Sequence, residues 1–129
     1  MSPAEVVRAY LAALNAHDPD AVAALVSSDF YNEHTSTRGE SVRGRDAYRA
    51  RLDGFLASMT ELHYEVERLA ADGPVVVVAY TMSAGYLHAE SVRPFELRGT
   101  FWFEVVDGLI GHRVDYRDGV DLEQQVGLR

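Results

Sequence analysis

Residues 75–118, VVVVAYTMSAGYLHAESVRPFELRGTFWFEVVDGLIGHRVDYRD, decide the fold of this chain. β-Branched and aromatic side chains fill two long runs within them, at 75–87 and 95–106, and this composition predicts two strands. The Asp107-Gly108 pair that follows is a tight hairpin signal. It predicts that residues 109–118 return as a further strand, antiparallel to the one before.

The sequence upstream of this stretch changes from strand signals to helical ones. Residues 62–70 can form one more strand, which ends at the turn Asp72-Gly73-Pro74. The first helix begins with a capping box, in which Ser2 is the N-cap and Glu5 reaches back to it. Its apolar stripe at helical spacing consists of Val6, Val7, Tyr10, Leu11 and Leu14.

Two more helices are predicted before the strands. Asp18 caps the second and Pro19 is its first residue, and the third covers about 46–58 after a polar loop at 35–44. Helices followed by strands indicate the α+β class. We therefore predict a single domain over residues 1–129, with three N-terminal helices packed on a curved, mainly antiparallel sheet. The sheet would close toward a cone-shaped α+β barrel, whose mouth is a natural small-molecule site.

Composition excludes several classes of function. The chain has a net charge of −8, which argues against a nucleic-acid or anionic-membrane surface, since both need a basic patch. It has no cysteine, no signal-peptide pattern and no apolar run long enough to span a membrane, so a cytoplasmic location is expected. No metal-ligand motif or glycine-rich phosphate loop is present, so we expect neither a metal nor another cofactor.

Two segments of the sequence resemble known enzymes. Residues 6–18, VVRAYLAALNAHD, are similar to the opening of ketosteroid isomerases. The end, from DGLI at 107–110 to QQVG at 124–127, is similar to the close of SnoaL-like polyketide cyclases, and DYRD at 115–118 also resembles limonene epoxide hydrolase. All three belong to the nuclear transport factor 2-like superfamily. The resemblance implies that fold, and this fold hosts many activities.

The resemblance also implies roles for individual residues. Tyr10 falls where ketosteroid isomerases have an oxyanion-hole tyrosine, and His34 falls where they have an aspartate base. Asp115 matches an aspartate of the water-activating set of the epoxide hydrolase. Gly99 stands in place of a protonated aspartate of the isomerases. The arginine and the second aspartate of the hydrolase would fall near Ser83 and Gly85, so neither set is complete.

Chemistry at these positions is supported by the residues themselves. A histidine beside an apolar pocket can move protons near neutral pH, and Asn32 shares a strand face with His34. Strict alternation in the last strand places Asp118 on its more apolar face, while the hydrolase resemblance favours Asp115. A β-bulge would reconcile the two, so both aspartates remain candidates. Tyr10 could donate to a substrate oxygen or be a core tyrosine with a satisfied hydroxyl.

Trp102 could stack on a ligand or cover a dimer interface, and the resemblance favours a homodimer through the convex face of the sheet. The leading hypothesis is a cofactor-independent enzyme that acts on a hydrophobic, oxygenated small molecule by general acid/base catalysis. The reaction would be an isomerisation or an aldol-type cyclisation, with epoxide hydrolysis as a variant. The alternative is a non-catalytic small-molecule-binding or dimerisation domain of the same fold.

Overall fold

The computed structural model describes residues 1–36 and 39–128. The helices in these residues are α1 (Pro3–Asn15), α2 (Pro19–Ala23), α3 (Arg45–Ser58) and α4 (Gly119–Gln125). The strands are β1 (Val26–His34), β2 (Val42–Arg43), β3 (Met59–Asp72), β4 (Val75–His88), β5 (Ser91–Val106) and β6 (Leu109–Arg117).

The six strands form one curved, open sheet in the order β2-β1-β6-β5-β4-β3. β3, β4, β5 and β6 follow one another as antiparallel neighbours, and the short β2 pairs antiparallel with β1. Only the pairing of β1 with β6 is parallel among those described. This pairing brings the first strand beside the last one, so residues that are far apart in sequence become neighbours in the sheet.

Helices α1, α2 and α3 pack on one face of this sheet and enclose the core. The apolar stripe of α1 is buried as its spacing predicts, and Ser2 Oγ accepts a hydrogen bond from the Glu5 amide at 3.2 Å to complete the capping box. Every second side chain of β4 faces the helices, including Tyr80 and Met82. Burial of these apolar side chains is the main source of stability for the fold.

The predicted fold class, helices on a curved and mainly antiparallel sheet, is confirmed, but the sheet is open and does not close into the cone-shaped barrel that we predicted. β1 begins at Val26, which pairs with Ile110, and ends at His34. α4 was not predicted. A helix of seven residues has too few turns to show a helical period.

A β-bulge interrupts the pairing of β5 with β6. Glu104 pairs with His112, but the next residue, Val105, pairs with Ile110, so Gly111 is an extra residue in β6. One extra residue reverses the alternation of the side chains beyond it. As a result, Arg113 and Asp115 point to the helix-covered face, on which Ile110 also lies.

Within the described residues, no helix combines the length and the apolar character needed to cross a membrane.

Candidate active site

A cavity of about 510 Å³ opens between α3 and the helix-covered face of the sheet. Its apolar side is formed mainly by α3 and the start of β3, with the side chains of Leu52, Phe55 and Met59. Its polar side is formed by β1 and β6, with the side chains of Asn32, His34, Arg113, Asp115 and Arg117. The sequence predicted a largely apolar pocket, but this cavity has one charged wall facing one apolar wall.

His34 and Asp115 face each other within this cavity. They are register partners in the parallel pairing of β1 with β6, so their side chains lie on the same face of the sheet. His34 Nδ1 lies 3.7 Å from Asp115 Oδ2, and the two side chains are 17% and 2% exposed. This distance is too long for a direct hydrogen bond and leaves both atoms able to contact a ligand.

The side chain of Asn32 contacts His34 Nε2. Its side-chain amide nitrogen Nδ2, which can only donate, lies 3.3 Å from His34 Nε2. In a neutral imidazole, Nε2 is then the acceptor and Nδ1 carries the proton. His34 Nδ1 has no hydrogen-bond partner within the described residues, so its N–H is available as a donor inside the cavity.

Tyr80 holds the carboxylate of Asp115 from the opposite side. The Tyr80 hydroxyl donates a hydrogen bond to Asp115 Oδ1 at 2.6 Å. The other oxygen, Oδ2, faces His34 and also lies 3.7 Å from Arg117 Nε. Asp115 is therefore fixed by one oxygen and has the other one free for chemistry.

Tyr10 takes part in a second buried network, deeper in the core. Its hydroxyl accepts a hydrogen bond from Arg113 Nη1 at 2.8 Å and forms a short hydrogen bond with the Tyr48 hydroxyl. Tyr48 and Arg113 line the cavity, but Tyr10 does not. The guanidinium of Arg113 also lies over the ring of Phe101, 4.9 Å from its centroid. Tyr10 thus acts on the cavity only indirectly, because it positions Tyr48 and Arg113.

The environment of the site favours the neutral forms of His34 and Tyr80. Burial, and then the positive charge of Arg113, lower the pKa of His34 from 6.5 to about 4, although Asp115 acts in the opposite direction. Burial, followed by the negative charge of Asp115, raises the pKa of Tyr80 far above its ordinary value. At neutral pH, the site therefore contains a neutral imidazole and a neutral phenol that can donate hydrogen bonds.

Asp118 does not reach the cavity, and the assignment of its strand face is wrong. Its carboxylate caps α4 instead, where Oδ1 accepts hydrogen bonds from the amides of Val120 and Asp121 at 3.0 and 3.1 Å. The assignment assumed strict alternation through β6, and the bulge at Gly111 reverses that alternation. The same reversal turns Asp115 toward the cavity.

Trp102 lies outside the cavity as well. It belongs to the face of β5 that points away from the helices, and it is 39% exposed. The structure thus brings three of the six predicted site residues, Asn32, His34 and Asp115, to the wall of one cavity. Tyr10 lies behind that wall, and Trp102 and Asp118 lie elsewhere.

Sequence reasoning missed several groups of this site. Arg113 and Arg117 share a strand face with Asp115, and this row of three alternating charges was a visible signal, but strict alternation placed it on the strand face opposite the pocket. Tyr80 gave no local signal, because its partner Asp115 is 35 residues away. Among residues 1–36 and 39–128, no three His, Asp or Glu side chains converge as a metal site would require.

Comparisons with known proteins agree with this architecture. The sequence matches the family of SnoaL-like domains over residues 7–112. A candidate polyketide cyclase from Xanthomonas campestris pv. campestris is 24% identical, with a TM-score of 0.86 over 96% of each chain. A protein of ketosteroid isomerase-like fold from Catenulispora acidiphila is 20% identical, with a TM-score of 0.86 over 100% of this chain and 96% of that one.

The fold is also similar to that of a hydrolase. An LEH-like epoxide hydrolase from M. tuberculosis is 24% identical, with a TM-score of 0.80 over 96% of this chain and 88% of that one. No curated protein matches the sequence. At these identities, the structural matches establish the fold and leave the reaction to be argued from the site.

Proposed function

Because the chain belongs to the family of SnoaL-like domains, we propose that it is a cofactor-independent enzyme that transfers protons by general acid/base catalysis. Its substrate is a hydrophobic, oxygenated small molecule, and the reaction abstracts a proton next to a carbonyl group. The product is an isomer or an aldol-type cyclisation product. Similarity to a candidate polyketide cyclase and to a protein of ketosteroid isomerase-like fold supports this reaction class.

Asp115 is the base in this mechanism. Tyr80 holds Oδ1, while Oδ2 faces the cavity and has no hydrogen-bond donor closer than 3.7 Å in the described part of the chain. Oδ2 can therefore accept the proton from a substrate carbon.

His34 is the hydrogen-bond donor. When the proton leaves the carbon, negative charge develops on the carbonyl oxygen, which must be stabilised as an enolate. The free Nδ1–H of His34 lies on the same wall as Asp115 Oδ2, so one substrate can contact both atoms. The neutral imidazole stays a donor over the physiological range, because its pKa is about 4.

The observation that carries this proposal is the pair of free, buried atoms His34 Nδ1 and Asp115 Oδ2, 3.7 Å apart on a cavity wall. Hydrogen–deuterium exchange at carbon tests it without knowledge of the natural substrate. Enolisable hydrophobic ketones such as 2-tetralone, incubated with the protein in D2O, should lose their α-proton NMR signals faster than without it.

Two aspartate variants provide the matched comparison for this assay. Asp115→Asn should slow the exchange by roughly two to four orders of magnitude, the usual contribution of a general base. Asp118→Asn should exchange at the wild-type rate, because its carboxylate only caps α4 and asparagine is an equally good cap. Equal rates for wild type and Asp115→Asn across the ketones would contradict the proposal.

Epoxide hydrolysis is the second candidate function. The 3.7 Å separation of His34 Nδ1 from Asp115 Oδ2 leaves room for a water molecule that donates to the carboxylate and accepts from the imidazole. The similarity to an LEH-like epoxide hydrolase supports this second candidate function. Incubation of hydrophobic epoxides in H2(18)O distinguishes the two functions, since only water activation would yield a labelled diol.

A further inference from the structure

Arg117 is a buried cation that makes no hydrogen bond to an oxygen atom in the described part of the chain. Its side chain is 12% exposed and lines the cavity. A guanidinium has five N–H donors, but the only hydrogen bond of Arg117 within the described residues goes from Nη1 to the sulfur of Met82, at 3.6 Å. Nε is buried without a partner, and its nearest carboxylate oxygen, Asp115 Oδ2, is 3.7 Å away. Leaving such donors unsatisfied is costly, unless a ligand satisfies them.

Arg113 and Arg51 also line the cavity, but their charges are better accommodated. Arg113 donates to the Tyr10 hydroxyl and lies over the ring of Phe101. Arg51 binds Glu40 twice, with a distance of 2.9 Å to the carbonyl oxygen and 3.2 Å to the carboxylate. Arg117 has no aromatic face among the described residues, and its one carboxylate neighbour, Asp115, is at ion-pair distance without a hydrogen bond, so its guanidinium keeps N–H donors for a ligand.

The described wall of the cavity carries a positive excess. Its charged side chains are the three arginines and two carboxylates, with His34 neutral, so one positive charge is left over. The whole chain has a net charge of −8, so this excess is a local property of the cavity and opposes the general charge of the protein. One monoanion in the cavity would balance it.

We propose that Arg117 is the binding subsite for a carboxylate group, and that the substrate is a hydrophobic carboxylic acid. A carboxylate matches the planar fork of a guanidinium and can accept two parallel hydrogen bonds from it. Its single negative charge equals the one excess positive charge of the cavity wall, whereas a phosphate group would carry more than one negative charge. The apolar part of the acid packs against Leu52, Phe55 and Met59 on the opposite wall. This assignment rests on the proposed function, since it takes the cavity as the substrate site.

Binding of matched acids and amides tests the assignment. The probes are 2-naphthoate and decanoate, each with its neutral amide, and calorimetry measures their dissociation constants for the wild-type protein at pH 7. The acids should bind at least tenfold more tightly than the amides, as expected for charge-assisted hydrogen bonds. In Arg117→Gln this preference should disappear, through weaker binding of the acids and unchanged binding of the amides.

Arg51→Gln is the control, because this arginine lines the same cavity but already binds Glu40. It should keep most of the preference for the acids. Equal binding of acids and amides to the wild type, absence of binding of both acids at millimolar concentration, or a preference that survives in Arg117→Gln would overturn the assignment. An equal loss of the preference in Arg51→Gln would also overturn the assignment. The summed positive charge of the cavity, and not a specific site at Arg117, would then explain the preference for acids.

A second readout needs no variant. A carboxylate bound at Arg117 adds negative charge near His34, which stabilises the imidazolium form, so 2-naphthoate should raise the pKa of His34 in an NMR titration and 2-naphthamide should not. An unchanged pKa with saturating 2-naphthoate would place the acid elsewhere. Both readouts are independent of turnover. Acid binding without proton exchange at carbon would therefore refute the proposed function alone, and exchange without acid preference would refute this assignment alone.

Discussion

Gly99 provides the space in which the Tyr80 hydroxyl reaches Asp115. A side chain at position 99 would collide with the hydroxyl and with the Cζ atom of Tyr80, which lies directly over this residue. Gly99 on β5 is the register partner of Tyr80 on β4, so the contact follows from the pairing of the two strands. The Tyr80 hydroxyl thus fills the space beside Asp115 that a side chain on residue 99 would need.

Gly99→Ala should therefore damage the site and the fold together. The new methyl group must displace Tyr80, which breaks the 2.6 Å hydrogen bond to Asp115 Oδ1, and overpacking of this kind costs about 1–3 kcal/mol of unfolding free energy. Chemical denaturation measures the loss. Gly111→Ala is the control, because a methyl group there meets no atom closer than 3.8 Å. If both variants are equally stable, Gly99 is not needed for the position of Tyr80.

Tyr10→Phe should act on stability through Arg113. The variant keeps the ring, which packs edge-on against Phe103, but it removes the acceptor of the Arg113 Nη1 hydrogen bond and the partner of the Tyr48 hydroxyl. An unsatisfied donor of this kind costs about 1–3 kcal/mol of unfolding free energy when it is buried. Tyr31→Phe, on the half-buried outer part of β1, should cost little in the same denaturation experiment.

A direct catalytic role of Tyr10 would give a different result. Since Tyr10 does not line the cavity, we expect the rate of the α-proton exchange to fall less in Tyr10→Phe than in Asp115→Asn. A loss as large as that of Asp115→Asn, in a protein that remains folded, would mean that the Tyr10 hydroxyl contacts the substrate.

His34 should make the stability of the protein depend on pH. Its pKa is about 4 in the folded chain and 6.5 in an unfolded one, so between these values the unfolded state binds more protons. The contribution of neutral His34 is complete above pH 6.5 and is lost as the pH falls toward 4. From pH 7 to pH 5, this group should remove roughly 1–2 kcal/mol of unfolding free energy.

Urea denaturation at these two pH values, for wild type and His34→Gln, isolates this contribution. Protonation of carboxylates also changes the stability as the pH falls, but the same carboxylates are present in both proteins. The difference between the two pH dependences therefore belongs to His34. The variant should lose less stability on acidification. Parallel pH dependences would show that the pKa of His34 is close to its ordinary value.

Local signals predicted the scaffold well. The Asp107-Gly108 pair has positive φ angles of 53° and 77°, as the tight hairpin requires, and this hairpin sets the antiparallel pairing of β5 with β6. Likewise, Asp18 caps α2 through the amide of Ala21. Such features depend on residues that are neighbours in sequence, and a single sequence contains all the information needed to recognise them.

The geometry of the site depends on contacts between residues that are distant in sequence, and no local sequence pattern predicts these contacts. The bulge at Gly111 decides whether Asp115 or Asp118 faces the cavity, yet a glycine in a strand is compatible with either alternation. Asp118 had a local role as the cap of α4, which the sequence interpretation overlooked because the helix is short. The link from Gly99 through Tyr80 to Asp115 joins three strands, and only the assembled sheet brings them together.

We expect a second copy of the chain to bind to the outer face of the sheet. Trp102, Val106 and Tyr116 are 39%, 62% and 50% exposed, and all three point away from the helices on the neighbouring strands β5 and β6. Large exposed apolar side chains on one face of a sheet are typical of protein interfaces, in which tryptophan and tyrosine contribute strongly.

Sedimentation of the wild-type protein at micromolar concentration should show a homodimer, and Trp102→Lys should weaken the dimer at least tenfold. Burial of an unpaired lysine in the interface weakens binding, and a symmetric dimer would contain this lysine twice. Val92→Lys is the control, since Val92 is 54% exposed but lies near the β4–β5 turn. A wild-type protein that sediments as a monomer would refute the expected assembly. A dimer that Trp102→Lys leaves intact would mean that the two copies associate through another surface.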